Sequence, residues 1–221
     1  MIITIDGPAG SGKSTVAKLL AERLGVRFLD TGAMYRGIAY AVLQANASVS
    51  DTSSVAEISD NAKLEVHDGM LFLNGEDVST EIRSPEVTAI SSIVAANPAV
   101  RQRLVELQRE VGRHGSLVTE GRDQGTVVFP FARYKFFVTA SVDARAQRRH
   151  RELVTKGSSL TLETVKTQLQ QRDERDENRQ HAPMKPAADA TIIDTSTMTI
   201  AQVVETLAAT VTHENKSQRS G

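Results

Sequence analysis

The sequence predicts an α/β fold built on a mainly parallel sheet covered by helices on both faces. Three observations predict it. Apolar, strand-like runs alternate with helical stretches along most of the 221 residues. The first run, Met1-Ile2-Ile3-Thr4-Ile5, passes directly into a glycine-rich loop and then a helix. The alternation breaks once, over 63–83, where two-residue turn signals mark a small β segment.

The opening strand, 2–5, carries the pattern of a strand buried on both faces. After it comes Gly7-Pro8-Ala9-Gly10-Ser11-Gly12-Lys13-Ser14-Thr15, a complete G-x-x-x-x-G-K-[ST] string. Glycines let the backbone wrap so that successive N–H groups point inward at an anion, and the following helix N-terminus adds partial positive charge. Residues 7–15 are therefore expected to cradle the phosphates of a nucleoside triphosphate, with Lys13 reaching the β- and γ-phosphates and Ser14 taking a place on Mg²⁺. Lys13 is expected to be an exposed ligand that contributes little to the core. Strand, loop and helix in this order predict a P-loop NTPase fold.

The helix over 13–24 places Val16, Leu19, Leu20 and Leu24 on one stripe and stops at Gly25. A short strand at 26–29 and helices at 33–45 and 53–62 follow. Leu64–His67 and Met70–Leu73, joined by Asp68-Gly69, read as a hairpin, and Asn74-Gly75 supplies a second tight turn. Ser84-Pro85 and Asn97-Pro98 are each a cap followed by proline at the first helical position. The second of these helices carries Val100, Leu104, Leu107 and Val111 and ends near Gly112 and Gly115. Strands at 117–119, 134–138 and 191–193 and helices at 143–155, 161–176 and 199–211 complete the pattern. The expected organisation is a core of 1–62 and 84–213, an insert at 63–83 and a polar, frayed tail at 214–221.

Bulk composition narrows the setting. With 26 Lys+Arg against 27 Asp+Glu, nothing marks the chain as a nucleic-acid or membrane binder. The absence of cysteine excludes disulfides and thiolate metal sites and suits a reducing cytosol. No signal-peptide pattern and no long apolar span are visible, so a cytoplasmic chain is expected; it is also expected to act as a monomer, a state that nothing in the sequence pattern fixes. The histidines at 67, 114, 150, 181 and 213 have no metal-ligand spacing and read as surface residues.

Arginine supplies the second chemical signal. Arg36 lies just beyond the second strand and Arg122 just beyond the third, so both face the crevice at the strands' carboxyl ends. Arg145, Arg148, Arg149 and Arg151 fall in one helix, and Arg172, Arg175 and Arg179 recur at spacings that put them on one helical face. Forked guanidinium groups suit phosphate, and phosphoryl transfer needs such charge neutralisation more than it needs a base. Both arginine-rich helices also read as solvated, salt-bridged surfaces. Arg83 is open in the same way: it reaches the crevice or caps the insert.

Taken together, these segments resemble the bacterial cytidylate kinase family, a branch of the nucleoside monophosphate kinases. The resemblance rests on Asp6-Gly7-Pro8, Asp30-Thr31-Gly32-Ala33-Met34-Tyr35-Arg36, Gly75–Val78 with Glu81–Arg83, Ala95-Ala96 with Pro98 and Val100-Arg101, Gly121-Arg122-Asp123 with Gly125–Pro130, and Arg172-Asp173 through Arg179. It implies a five-stranded parallel sheet flanked by helices, a small β-containing nucleotide-binding insert, and a lid around 146–172. The implied reaction is transfer from ATP to CMP or dCMP, in pyrimidine nucleotide metabolism. By resemblance, Arg36, Arg122 and Arg179 hold the acceptor phosphate, with Thr31 among the acceptor-binding residues. Ser92, Arg101 and Asp123 read the base, Arg172 and Asp176 meet the ribose, and Arg148 comes from the lid towards ATP. Lys13, Arg122, Arg172 and Arg179 form the implied catalytic set. A carboxylate accepting from the cytosine amino group and a guanidinium donating to N3 or O2 would favour cytosine over uracil. Gln124 stands where the family usually has an apolar residue, which puts local packing in question. No Asn-Lys-x-Asp guanine-reading string is present, which argues against a GTPase switch.

Overall fold

The computed structural model describes residues 1–67, 69–155 and 157–217. In chain order the elements are β1 (Ile2–Asp6), α1 (Lys13–Leu24), β2 (Arg27–Asp30), α2 (Thr31–Gln44) and α3 (Thr52–Asn61). Three short strands follow, β3 (Leu64–His67), β4 (Met70–Leu73) and β5 (Glu76–Asp77), then a 3₁₀ turn at Glu81–Arg83, α4 (Pro85–Val94) and α5 (Pro98–Arg113). The chain continues through β6 (Leu117–Gly121), a π-helical turn at Gln124–Val128, β7 (Tyr134–Thr139), α6 (Val142–Thr155), α7 (Leu162–Glu177), β8 (Thr191–Asp194) and α8 (Ile200–Ser217). These fall into two compact units, Met1–Arg27 with Ser116–Gly221, and Phe28–Gly115.

A five-stranded sheet is ordered β2-β6-β1-β7-β8, and β1 pairs in parallel with both β6 and β7. Because β1 is central, its residues Ile3 to Asp6 are all buried, as the apolar run predicts. Its carboxyl end sits where the strand order reverses, the position at which open parallel sheets take ligands. Leu117, Phe136 and Leu20 fill the core around it.

Within Phe28–Gly115, β3, β4 and β5 form an antiparallel sheet, the expected hairpin plus a third short strand. Asn74 and Gly75 both take positive φ, 54° and 88°, which is the backbone the Asn-Gly turn predicts. Asp68 of the other turn lies outside the described residues. Gly37 of α2 lets this sheet approach closely, since a Cβ there would lie 2.7 Å from a Leu71 methyl. Both proline-led helices are capped as expected: Ser84 Oγ accepts from the Val87 N–H and Asn97 Oδ1 from those of Ala99 and Val100. Each such cap contributes about 1 kcal/mol.

Some boundaries differ. The helix expected to close at 211 runs on to Ser217, while residues 218–221 of the expected tail lie outside the described residues. Among the described residues, no helix is long and apolar enough to cross a membrane and no cluster of His, Asp or Glu could hold a metal ion.

Candidate active site

The phosphate loop is shaped by backbone constraint. Gly7 has φ 146°, and a Cβ there would fall 2.0 Å from the Val138 carbonyl oxygen of β7, so only glycine fits. Gly12 caps α1 in a left-handed conformation, and no side chain caps that helix. Its first N–H groups are thus the backbone donors that an anion would use. Ser11 Oγ is buried and makes no hydrogen bond, a donor aimed at nothing in the protein. The donor set fits a nucleotide phosphate.

Lys13 corrects an expectation, because it is only 5% exposed. Its Nζ donates to the Pro8 carbonyl at 3.1 Å and lies 3.8 Å from Glu120. Burial, reinforced by the Arg122 and Arg172 charges, lowers its pKa to about 7 against the pull of Glu120 and Asp176. A contiguous motif reports that a lysine is present, and nothing in it shows that the following fold closes over the stem.

Ser14 Oγ donates to Glu120 Oε1 at 2.9 Å. Glu120, 4% exposed at the end of β6, is a site residue that the sequence reading missed. The available signal was a carboxylate closing the apolar run Leu117-Val118-Thr119, on the strand neighbouring β1. A hydroxyl and a carboxylate together fit Mg²⁺, a hard cation that prefers oxygen ligands. Asp6 was also missed: its carboxylate accepts from the Gln124 and Gly125 N–H groups, each at 2.8 Å. Burial pushes its pKa up to about 7 despite those two bonds.

Three expected site residues converge on this cradle's side of the unit. Arg122 Nε donates to Asp176 Oδ2 at 2.8 Å, and Arg179 Nη2 lies 3.3 Å from Asp176 Oδ1. Burial opposes the charge on Asp176, yet Arg122, Arg179 and Arg172 together hold its carboxyl below the usual range. Arg122 is likewise raised, with Asp176 and Glu120 outweighing its burial. Asp123 is buried, and its carbonyl accepts from the Val127 and Val128 N–H groups.

The expectation that Arg172, Arg175 and Arg179 share one helical face is not met. α7 ends at Glu177 with Asn178 as its C-cap, so Arg179 lies beyond the helix and returns to Asp176 through a turn. Arg175 is exposed and donates along its own helix to the Gln171 carbonyl. In α6 the arginines also separate. Arg145 is buried, paired with Asp173 at 2.5 Å and donating to the Ala9 carbonyl of the loop at 3.1 Å. Arg148 donates to Thr195, whose hydroxyl in turn donates to the Ser11 carbonyl at 3.3 Å. Arg149 pairs with Glu152 on the surface.

Thr31, Arg36, Ser92 and Arg101 all lie in the Phe28–Gly115 unit. Asp30 orients Arg36 in this unit: Oδ1 caps α2 by accepting from the Ala33 N–H at 2.8 Å, while Oδ2 accepts from Arg36 Nη2 at 3.0 Å. Arg83 Nη2 stands 4.0 Å from the same oxygen. Arg101, 5% exposed, donates to the Ala95 carbonyl and stacks 5.7 Å over the Tyr35 ring. Ser92 and Thr31 are buried. Gln124 resolves the packing question, because its side chain is buried and accepts from Thr119 Oγ1 at 2.9 Å.

A parallel sheet whose central strand feeds a glycine cradle, a buried lysine and a helix N-terminus defines a P-loop nucleotide-binding protein. The chain belongs to the cytidylate kinase family, whose sequence model matches residues 3–213. A cytidylate kinase of Citrifermentans bemidjiense is 46% identical over 96% of this chain and 92% of its own length. One from Clostridioides difficile is 44% identical over 93% of this chain and 95% of its own. An uncharacterized protein from Eubacterium ventriosum shares the fold, with a TM-score of 0.50 at 14% identity over 94% of this chain and 95% of that one.

Proposed function

We propose that this chain transfers the γ-phosphoryl group of ATP, with Mg²⁺, to CMP or dCMP, giving ADP and CDP or dCDP. One observation carries the reading beyond the family. Lys13 is a buried ammonium held beside Arg122 and Arg172, so that its proton is bound weakly, to a pKa of about 7. Such an arrangement is unfavourable alone and is relieved by a polyanion.

In this reading residues 7–15 hold the donor phosphates through backbone N–H groups, and Lys13 neutralises charge developing on the β- and γ-oxygens. Ser14, oriented by Glu120, holds Mg²⁺, which supplies further charge neutralisation on the phosphates when bound. Arg148 serves the donor nucleotide. Arg36, Arg122 and Arg179 hold the acceptor phosphate with Thr31 nearby, Arg172 and Asp176 take the ribose, and Ser92, Arg101 and Asp123 read cytosine. An acceptor phosphate oxygen attacks the γ-phosphorus in line, and the bond to the β–γ bridging oxygen breaks. No residue needs to act as a strong base, since positioning and charge carry the step. Asp176 also orders the two arginines around it, because each of its oxygens faces one guanidinium. The enzyme acts as a cytoplasmic monomer in this reading, with no nucleic-acid partner.

The test is kcat/KM for CMP, dCMP, UMP and AMP at saturating Mg·ATP. A preference for the cytosine nucleotides is expected, and a preference for AMP would overturn the assignment.

A further inference from the structure

Asp123 is the residue proposed to read cytosine, and its backbone is fixed from both sides. Gly121, two residues before it, pairs with Asp6 across β6 and β1. The Asp123 carbonyl accepts from the Val127 N–H at 2.9 Å and the Val128 N–H at 3.2 Å. The next two N–H groups, those of Gln124 and Gly125, both go to the Asp6 carboxylate at 2.8 Å. The Gln124 side chain is tied in turn to Thr119. Gly125 leaves no slack, since a Cβ there would stand 3.0 Å from Thr4 Oγ1 and 3.4 Å from Asp6 Oδ2.

We infer that Asp6, supported by Thr119, is a positioning residue for cytosine selection: its carboxylate grips the turn after Asp123 and so sets where the Asp123 carboxylate points. Burial pushes the Asp6 pKa up to about 7, so the grip is complete at about pH 8, where the ionised carboxylate accepts from both N–H groups through two equivalent oxygens. Asp6 is 4% exposed, so water does not readily replace either bond. Discrimination built on hydrogen bonds tolerates little displacement, because an angle or distance lost against the cytosine amino group removes the advantage over uracil. The inference rests on the assignment of Asp123 as the base reader.

Asp6→Asn keeps the shape but sets an amide donor against one of the two N–H donors. The experiment measures the CMP-to-UMP ratio of kcat/KM, and KM for ATP, in the unaltered chain, Asp6→Asn, Asp123→Ala and the double variant. Asp6→Asn is expected to lower the ratio about tenfold with KM for ATP within about twofold, and to lower it no further on the Asp123→Ala background. An unchanged ratio in Asp6→Asn, where Asp123→Ala lowers it, would overturn the inference and leave the base-reading assignment standing. An unchanged ratio in Asp123→Ala would instead sink that assignment, and the positioning role with it. Equal losses for CMP and ATP in Asp6→Asn would reduce Asp6 to scaffold. Should Asp6→Asn not fold, Thr119→Val probes the same grip: a smaller fall in the ratio supports the inference, and an unchanged ratio overturns it.

Discussion

The phosphate loop and the Phe28–Gly115 unit present their cations by different means. In the unit of Met1–Arg27 and Ser116–Gly221, the cradle is backbone, and its lysine is buried to the point of holding its proton weakly. In Phe28–Gly115 the cations are side chains held by partners, Arg36 by Asp30 and Arg101 by Ala95 and the Tyr35 ring. The first is therefore rigid and intolerant of shape change. The second depends on a few orienting side-chain contacts, of which that of Asp30 also caps α2.

The largest expected effect breaks the first arrangement at its charge. Lys13→Ala should lower kcat about a thousandfold, in line with loss of a preorganised transition-state donor. Its melting temperature should stay level or rise, because an unfavourably buried ammonium is gone; retained turnover in a coupled assay would contradict this. Gly7→Ala attacks the same cradle through shape. It should cost about 3 kcal/mol of folding stability by denaturant titration, since the added methyl meets a backbone oxygen. The side-chain-held unit should behave oppositely. Arg36→Ala should reduce kcat/KM for CMP about thirtyfold with KM for ATP and stability little changed, a loss of one charge-assisted contact. Asp30→Asn should cost about fivefold on the same parameter, by loosening Arg36 and the α2 cap together.

The contrast also explains what could be read in advance. The phosphate loop was legible because nine consecutive residues carry both the backbone geometry and the chemistry. Ser84-Pro85 and Asn97-Pro98 were legible for the same local reason, and both caps are present. Arg36 could be placed in the crevice from its position beyond the second strand, but only resemblance to a family joined Thr31, Ser92 and Arg101 to it. Lys13's burial, Glu120's bond to Ser14 and Asp6's grip on 124–125 arise from strands distant in sequence. Periodicity carried the Arg172, Arg175 and Arg179 grouping too far, because the helix was itself expected to end at 176, three residues before Arg179, and α7 does stop at Glu177.

A smaller effect sharpens the electrostatic half of the comparison. Lys13 has a pKa of about 7 in the free site, below its ordinary 10.5, so at about pH 8 it is mostly neutral. Bound phosphates favour the charged form, so ATP binding there should take up close to one proton, and much less at about pH 6. Calorimetry in buffers of different ionisation enthalpy reads this directly. Binding heats independent of buffer at the higher pH would contradict it.

The central claim is that a phosphoryl group passes from ATP to a cytosine nucleotide. Incubating the purified chain with Mg²⁺, γ-labelled ATP and CMP, and separating the products, tests it most directly. Label should appear in the β-phosphate of CDP; label found only in inorganic phosphate, with no CDP formed, would contradict the account.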